Sequence, residues 1–106
     1  MTELDLSTTA DGRPVEWDER FYSDLCRWRD EDPVVGRKVV EMVEYVLFAP
    51  GQGPGRPKRL AGYPGLWSRR VTKTHRLFYV VTSDSLRFLA CRGHELPEHL
   101  YEELRG

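Results

Sequence analysis

The chain has 106 residues, 40% of them hydrophobic, with 16 Lys/Arg against 17 Asp/Glu and a formal charge of −1. That length admits one domain with a core of modest size, and the absence of any run of about 18 apolar residues excludes a membrane-spanning helix. The N-terminus lacks the charged and apolar regions of a signal peptide; Cys26 and Cys91 have no metal-ligand spacing and are expected as reduced thiols in a cytoplasmic protein, Cys91 in the core.

Residues 1–13, "MTELDLSTTADGR", are polar and unpatterned and read as a flexible N-terminal arm. A domain over 14–95 follows, opened by "PVEW" as a short strand. Asp18 is an N-cap residue with Glu19 in the first turn, and Phe21, Leu25 and Trp28 recur at i, i+4, i+7, which predicts a helix with one apolar stripe. "RDEDP" breaks it. Asp32 and Pro33 then start a second helix with Val35, Val39, Met42, Val43 and Val46 on its buried side, and "APGQGPGRP" (49–57) ends it. The period then changes. Leu66–Val71, His75–Val81 and Leu86–Gly93 are rich in aromatic and β-branched residues and are separated by "TKT" and "TSDS", which predicts a three-stranded antiparallel meander. Residues 96–106, with Leu100 and Leu104 on one side, form a short C-terminal helical extension. The fold class is α+β: a two-helix hairpin packed on one face of an antiparallel sheet, in the order β-α-α-β-β-β.

The near-neutral total hides a segregated charge. Residues 56–93 hold nine Lys/Arg against one acid, Asp84, a net of +8; residues 1–55 hold six basic against twelve acidic, a net of −6; residues 94–106 hold one against four, a net of −3. A segment of this kind suits a polyanion. If the first turn is centred on Lys73, Arg70 lies opposite Arg76. If the second is centred between Ser83 and Ser85, Arg76 lies opposite Cys91 or Arg92, and His94 falls beside the first turn. Opposed residues share a face, with Cβ atoms about 4.5–5.5 Å apart, and like charges so placed destabilise a sheet. Phosphate would compensate that cost, because the planar Arg fork matches it; acids from the helices or the C-terminal tail are the competing explanation.

The same residues carry a family resemblance. "GQGPGRP" before a leucine, "WSRR", "HRLFY", "TSDSL" and "ACRGH" resemble the signature of YoeB-type toxins in the RelE superfamily of toxin–antitoxin ribonucleases, over roughly Val15 to Glu95. The resemblance implies a RelE-like domain, a twisted sheet with two helices, and endonucleolytic cutting of messenger RNA on the ribosome by attack of the 2′-OH on the adjacent phosphate. It implies a cognate antitoxin of the YefM/Phd kind as partner, a homodimer, a cytoplasmic location, no membrane contact and no metal or other cofactor. On this basis Arg76 stabilises the phosphorane with Arg70 assisting, His94 is the general acid, and Arg56, Arg59, Arg69, Lys73 and Arg92 bind RNA.

Two positions depart from the pattern. Lys58 stands where YoeB-like proteins carry the glutamate proposed as general base, and Glu95 stands where they carry a tyrosine after the histidine. Three readings stay open: Lys58 acts as a cation or as a base among neighbouring positive charges; Glu95 supplies the carboxylate from elsewhere; or the catalytic set is broken. The alternative function is accordingly a catalytically weak relative that binds an antitoxin, RNA or ribosome. Trp67 and Tyr79 are base-stacking or core residues, and His75 is a structural or turn contact.

Overall fold

The computed structural model describes residues 7–105. In chain order the elements are β1 (Val15–Trp17), α1 (Glu19–Glu31), α2 (Pro33–Phe48), β2 (Lys58–Arg59), β3 (Leu66–Arg70), β4 (Arg76–Val81), β5 (Leu86–Ala90) and α3 (Glu98–Arg105). They form the expected α+β fold, with one strand more than the sequence reading, because Lys58–Arg59 pair with Trp67 and Ser68 at the sheet edge.

Local chemistry sets the helix ends. The Asp18 carboxylate accepts from the Arg20 N–H at 2.9 Å, and Asp32, the single residue between the helices, accepts from Val35 N–H at 3.4 Å. Pro33 at the first helical position lacks the N–H that would be orphaned there. Phe21 and Trp28 from α1, with Val39, Met42, Val43, Val46 and Leu47 from α2, pack on one sheet face against Leu77, Tyr79, Leu86 and Phe88.

The sheet order is β1-β5-β4-β3-β2. Expected as antiparallel throughout, the sheet is mixed: β1 runs parallel to β5, with Val15 opposite Leu86 and Trp17 opposite Phe88. The intervening helical hairpin acts as the crossover that a parallel pair requires. The other face is not open either. β4 reads Leu-Phe-Tyr-Val-Val without alternation, the mark of a strand covered on both sides. Phe78 and Val80 face a second cluster with Leu66, Leu89, Ala90, Leu96 and Leu100, which α3 closes.

Of the arm expected over residues 1–13, residues 7–13 make bonds to the domain and residues 1–6 lie outside the described residues. Thr8 bridges Pro14, Thr9 N–H donates to Arg13 O, and Ala10 N–H donates to Leu47 O at 2.9 Å. The Arg13 guanidinium reaches Thr82 O at 2.7 Å. Thr9 is buried at 5% exposure. These bonds close a turn over the end of α2.

Candidate functional site

The first hairpin has the register expected from the sequence. Leu66 opposes Val80, Ser68 opposes Phe78, and Arg70 opposes Arg76. Arg70, Arg76 and Ser68 therefore share a face, and the Arg76 Nε–H donates to Ser68 Oγ at 3.0 Å. Lys58 in β2 opposes Ser68, which adds a third cation to that face. Among the described residues, the ion pairs involve Arg13, Arg20, Arg27, Arg29, Arg87 and Arg92, and none involves Lys58, Arg70 or Arg76.

His94 is delivered by a clamped segment. A bulge between Phe78 and Tyr79 shifts the β4–β5 register from Tyr79 opposite Phe88 to Phe78 opposite Ala90. The third strand, expected to run to Gly93, ends at Ala90, because Asp24 of α1 takes the next two backbone donors: Cys91 N–H at 3.0 Å and Arg92 N–H at 3.2 Å. Trp28 Nε1–H donates to Cys91 O at 2.9 Å. Gly93 O accepts from Arg76 N–H, and Gly93 N–H donates to His75 Nδ1 at 2.9 Å, so His75 is a turn contact whose proton sits on Nε2 when neutral. Gly93 has φ +91, a left-handed turn that glycine adopts without a Cβ penalty.

His94 then opens onto a cavity of about 290 Å³ lined by Arg76, His94, Glu95, Glu98 and Tyr101, with Leu60, Phe78 and Leu96 as its apolar part. A separate, broader depression of about 430 Å³ is lined by Lys38, Arg56, Arg70 and Lys73, with no acid among its lining residues. Arg56 enters that depression with φ +51, a strained value for a residue with a side chain. Gly55 beside it has φ +87, and a Cβ there would lie 2.8 Å from Arg70 O; Arg70 N–H donates to Gly55 O at 2.6 Å. The glycine-rich loop thus runs flush against the strand that carries Arg70.

Two residues expected to bind RNA, Arg69 and Arg92, are engaged elsewhere in the fold. Arg69, assigned to RNA binding, is 0% exposed. Its guanidinium donates to Tyr79 Oη at 3.0 Å, Ala49 O at 2.8 Å, Pro50 O at 3.1 Å and Pro54 O at 3.3 Å, and it ties the 49–54 loop to the sheet. Arg92, also expected in the cluster, lies 4.5 Å over the Trp28 ring and pairs with Glu31 at 2.7 Å; strand alternation lapses after Ala90, so it turns toward α1. That hydrogen bond holds the Glu31 carboxyl below its usual range. Arg59 lies over Trp67, 5.5 Å from the ring centroid, on the opposite side from Lys58. Tyr79 is core, and burial pushes its phenol up despite the neighbouring Arg69.

Sequence reasoning missed Asp24, Ser68, Glu98 and Tyr101. Asp24 stands in phase with Phe21 and Trp28 on the apolar stripe, and an acid at such a position signals a buried backbone partner. Ser68 sits at the residue facing Arg76's side of the sheet. Among the described residues, no group of three or more His, Cys, Asp or Glu side chains is gathered as a metal ion would need, and no helix is long and apolar enough to cross a membrane.

The family model of the YoeB-like toxins of bacterial type II toxin–antitoxin systems matches residues 17–95. Toxin YoeB of Escherichia coli (strain K12) is 39% identical over 79 residues, covering 74% of this chain and 94% of that protein. A YoeB/ParE toxin from Agrobacterium tumefaciens superposes with a TM-score of 0.71 at 28% identity, covering 76% of this chain and 98% of the other. YoeB from Staphylococcus aureus shares the fold at 22% identity, both as a dimer (TM-score 0.70) and in a heterotetrameric complex with YefM (TM-score 0.66), covering 78% of this chain and 98% of the toxin chain in each case.

Proposed function

The chain belongs to the YoeB-like toxins of bacterial type II toxin–antitoxin systems, and from that premise we propose that it is an endoribonuclease that cuts messenger RNA on the ribosome. The observation that carries this reading is the pair Arg70 and Arg76, directly opposed on one face and free of carboxylate partners among the described residues, with Arg76 and His94 lining one cavity. Two guanidinium groups so placed repel each other until an anion lies between them, and a phosphorane carries more negative charge than the diester it forms from. Cations fixed in advance at that position favour the transition state over the bound substrate.

In this reading the 2′-OH attacks the adjacent phosphorus, Arg76 and Arg70 hold the equatorial oxygens, and His94 protonates the departing 5′ oxygen. Lys58 reaches the same phosphate from the β2 side as a third cation. The reaction as written requires a 2′-OH, which restricts it to RNA, and calls for no metal or other cofactor. The toxin domain spans residues 14–95 and works in the cytoplasm, where the translated message is. A YefM-like antitoxin is the proposed partner and a homodimer the proposed free state, after the complexes formed by the Staphylococcus aureus relative.

A second reading has one specific observation in its favour: the basic residue at Lys58. In that reading the chain binds antitoxin, RNA or ribosome and cuts weakly. Induced expression with cleavage mapped on ribosome-bound message separates the two. Arg76→Ala and His94→Gln abolish growth arrest and cleavage if the chain is a nuclease. A wild-type chain that neither arrests growth nor cuts, yet binds antitoxin tightly, establishes the binding module. A rise in cutting on Lys58→Glu would mark a weakened base site.

A further inference from the structure

The family match ends at Glu95, yet the helix that follows it, α3, forms one wall of the cavity holding Arg76 and His94. The helix is built into the core. Leu96 and Leu100 are 5% and 2% exposed and belong to the cluster with Leu66, Phe78 and Leu89. Glu98 and Tyr101 stand at i, i+3 and are neighbours on the helix surface; both line the cavity.

Resting on the ribonuclease reading above, we propose that Glu98 is the catalytic proton acceptor for the attacking 2′-OH, so that α3 is part of the active site. The reaction needs an acceptor on the side of the attacking oxygen and a donor on the side of the leaving one. The sheet contributes donors: Arg76 at the cavity, with Arg70 and Lys58 on the same sheet face. An ammonium offers three N–H donors and no acceptor. The carboxylates lining the cavity are Glu95 and Glu98. Glu95 lies in the irregular segment directly after His94, whereas Glu98 occupies the first turn of a helix fixed on both sides by buried leucines. A catalytic group is effective in proportion to how firmly it is held.

The step balances. The Glu98 carboxylate takes the 2′-OH proton as the O2′–P bond forms. The charge that develops on phosphorus is held by Arg76 and Arg70. The P–O5′ bond breaks, and the His94 imidazolium gives its proton to O5′. The products are a 2′,3′-cyclic phosphate on the upstream fragment and a 5′-hydroxyl on the downstream one, and proton exchange with water resets Glu98 and His94.

The test is cleavage of message on programmed ribosomes by the purified full chain. Glu98→Gln is expected to lower kcat by roughly 100-fold or more, the usual range for a general base, with KM unchanged and Glu98→Asp intermediate. Its thermal midpoint stays at the wild-type value, because Glu98 is exposed. A Glu98→Gln protein that cuts as fast as wild type overturns the assignment and leaves the nuclease reading standing on Arg76→Ala. One that cuts faster makes α3 an inhibitory cover and overturns it equally. A wild-type chain that does not cut overturns both.

Discussion

Cys91 carries a thiol whose surroundings fix its chemistry. It is fully buried, its Sγ lies 3.9 Å from Phe21 O, and burial, reinforced by the nearby Asp24 carboxylate, pushes its ionisation far upward. The folded chain therefore keeps the neutral thiol at pH values where the unfolded chain, with a cysteine pKa of about 8.5, releases the proton. A pKa raised on folding contributes stability that is complete below the unfolded value and is lost as pH rises past it. Between about pH 8.5 and 10, below the range where Tyr79 adds its own effect, unfolding free energy is expected to fall by up to about 1.4 kcal/mol per pH unit. Urea unfolding across that range checks it: Cys91→Ala flattens the fall, and an unchanged slope would place a thiolate inside the fold. Exposed Cys26, by contrast, reacts with a thiol reagent in the native state.

At the scale of elements, the site depends on how α1 holds the end of β5. Asp24 is 1% exposed and serves three donors at once: Arg20 Nε at 2.8 Å and the N–H groups of Cys91 and Arg92. Removing the carboxylate leaves two backbone donors without partners, each costing about 1–3 kcal/mol when buried. Asp24→Ala is therefore expected to destabilise the chain by about 3 kcal/mol in urea unfolding and to lower cleavage further by loosening the segment that carries His94. Asp24→Asn keeps one acceptor oxygen and loses less. Equal stability of Asp24→Ala and wild type would show that water or another group satisfies those donors. The residues of this clamp were open to sequence reading only in part: the phase of Asp24 on the apolar stripe was visible, but its partners are 67 and 68 positions away.

Across the whole molecule, the +8 of residues 56–93 is divided by the fold. Arg69 is buried against carbonyls, Arg59 lies over Trp67, and Arg87 and Arg92 pair with Asp18 and Glu31. Arg56, Lys58, Arg59, Arg70, Lys73 and Arg76 remain at least partly exposed and without a carboxylate among the described residues. Each phosphate contact on a single strand contributes about −0.7 to the slope of log affinity against log salt, so six contacts set a limit of about −4.2. RNA binding measured from low to moderate salt is expected to fall within that limit, with Lys73→Ala reducing the slope and Arg92→Ala leaving it unchanged. A slope near −6, as nine contacts would give, would show that the paired arginines release their partners for RNA.

The sequence by itself determined the periods, the caps, the hairpin register and hence the Arg70–Arg76 pair, because these follow from neighbours within a few residues or from turns of fixed length. It also carried the family, through motifs that lie close together in the chain. Only the tertiary structure decided that β1 runs parallel to β5, that Arg69 and Arg92 turn away from the cluster, and that α3 closes the cavity beside His94. Those outcomes rest on contacts between distant segments. Strand alternation assigns a face to a side chain only while the ladder continues, and what a cation meets on that face is set by whichever element packs there.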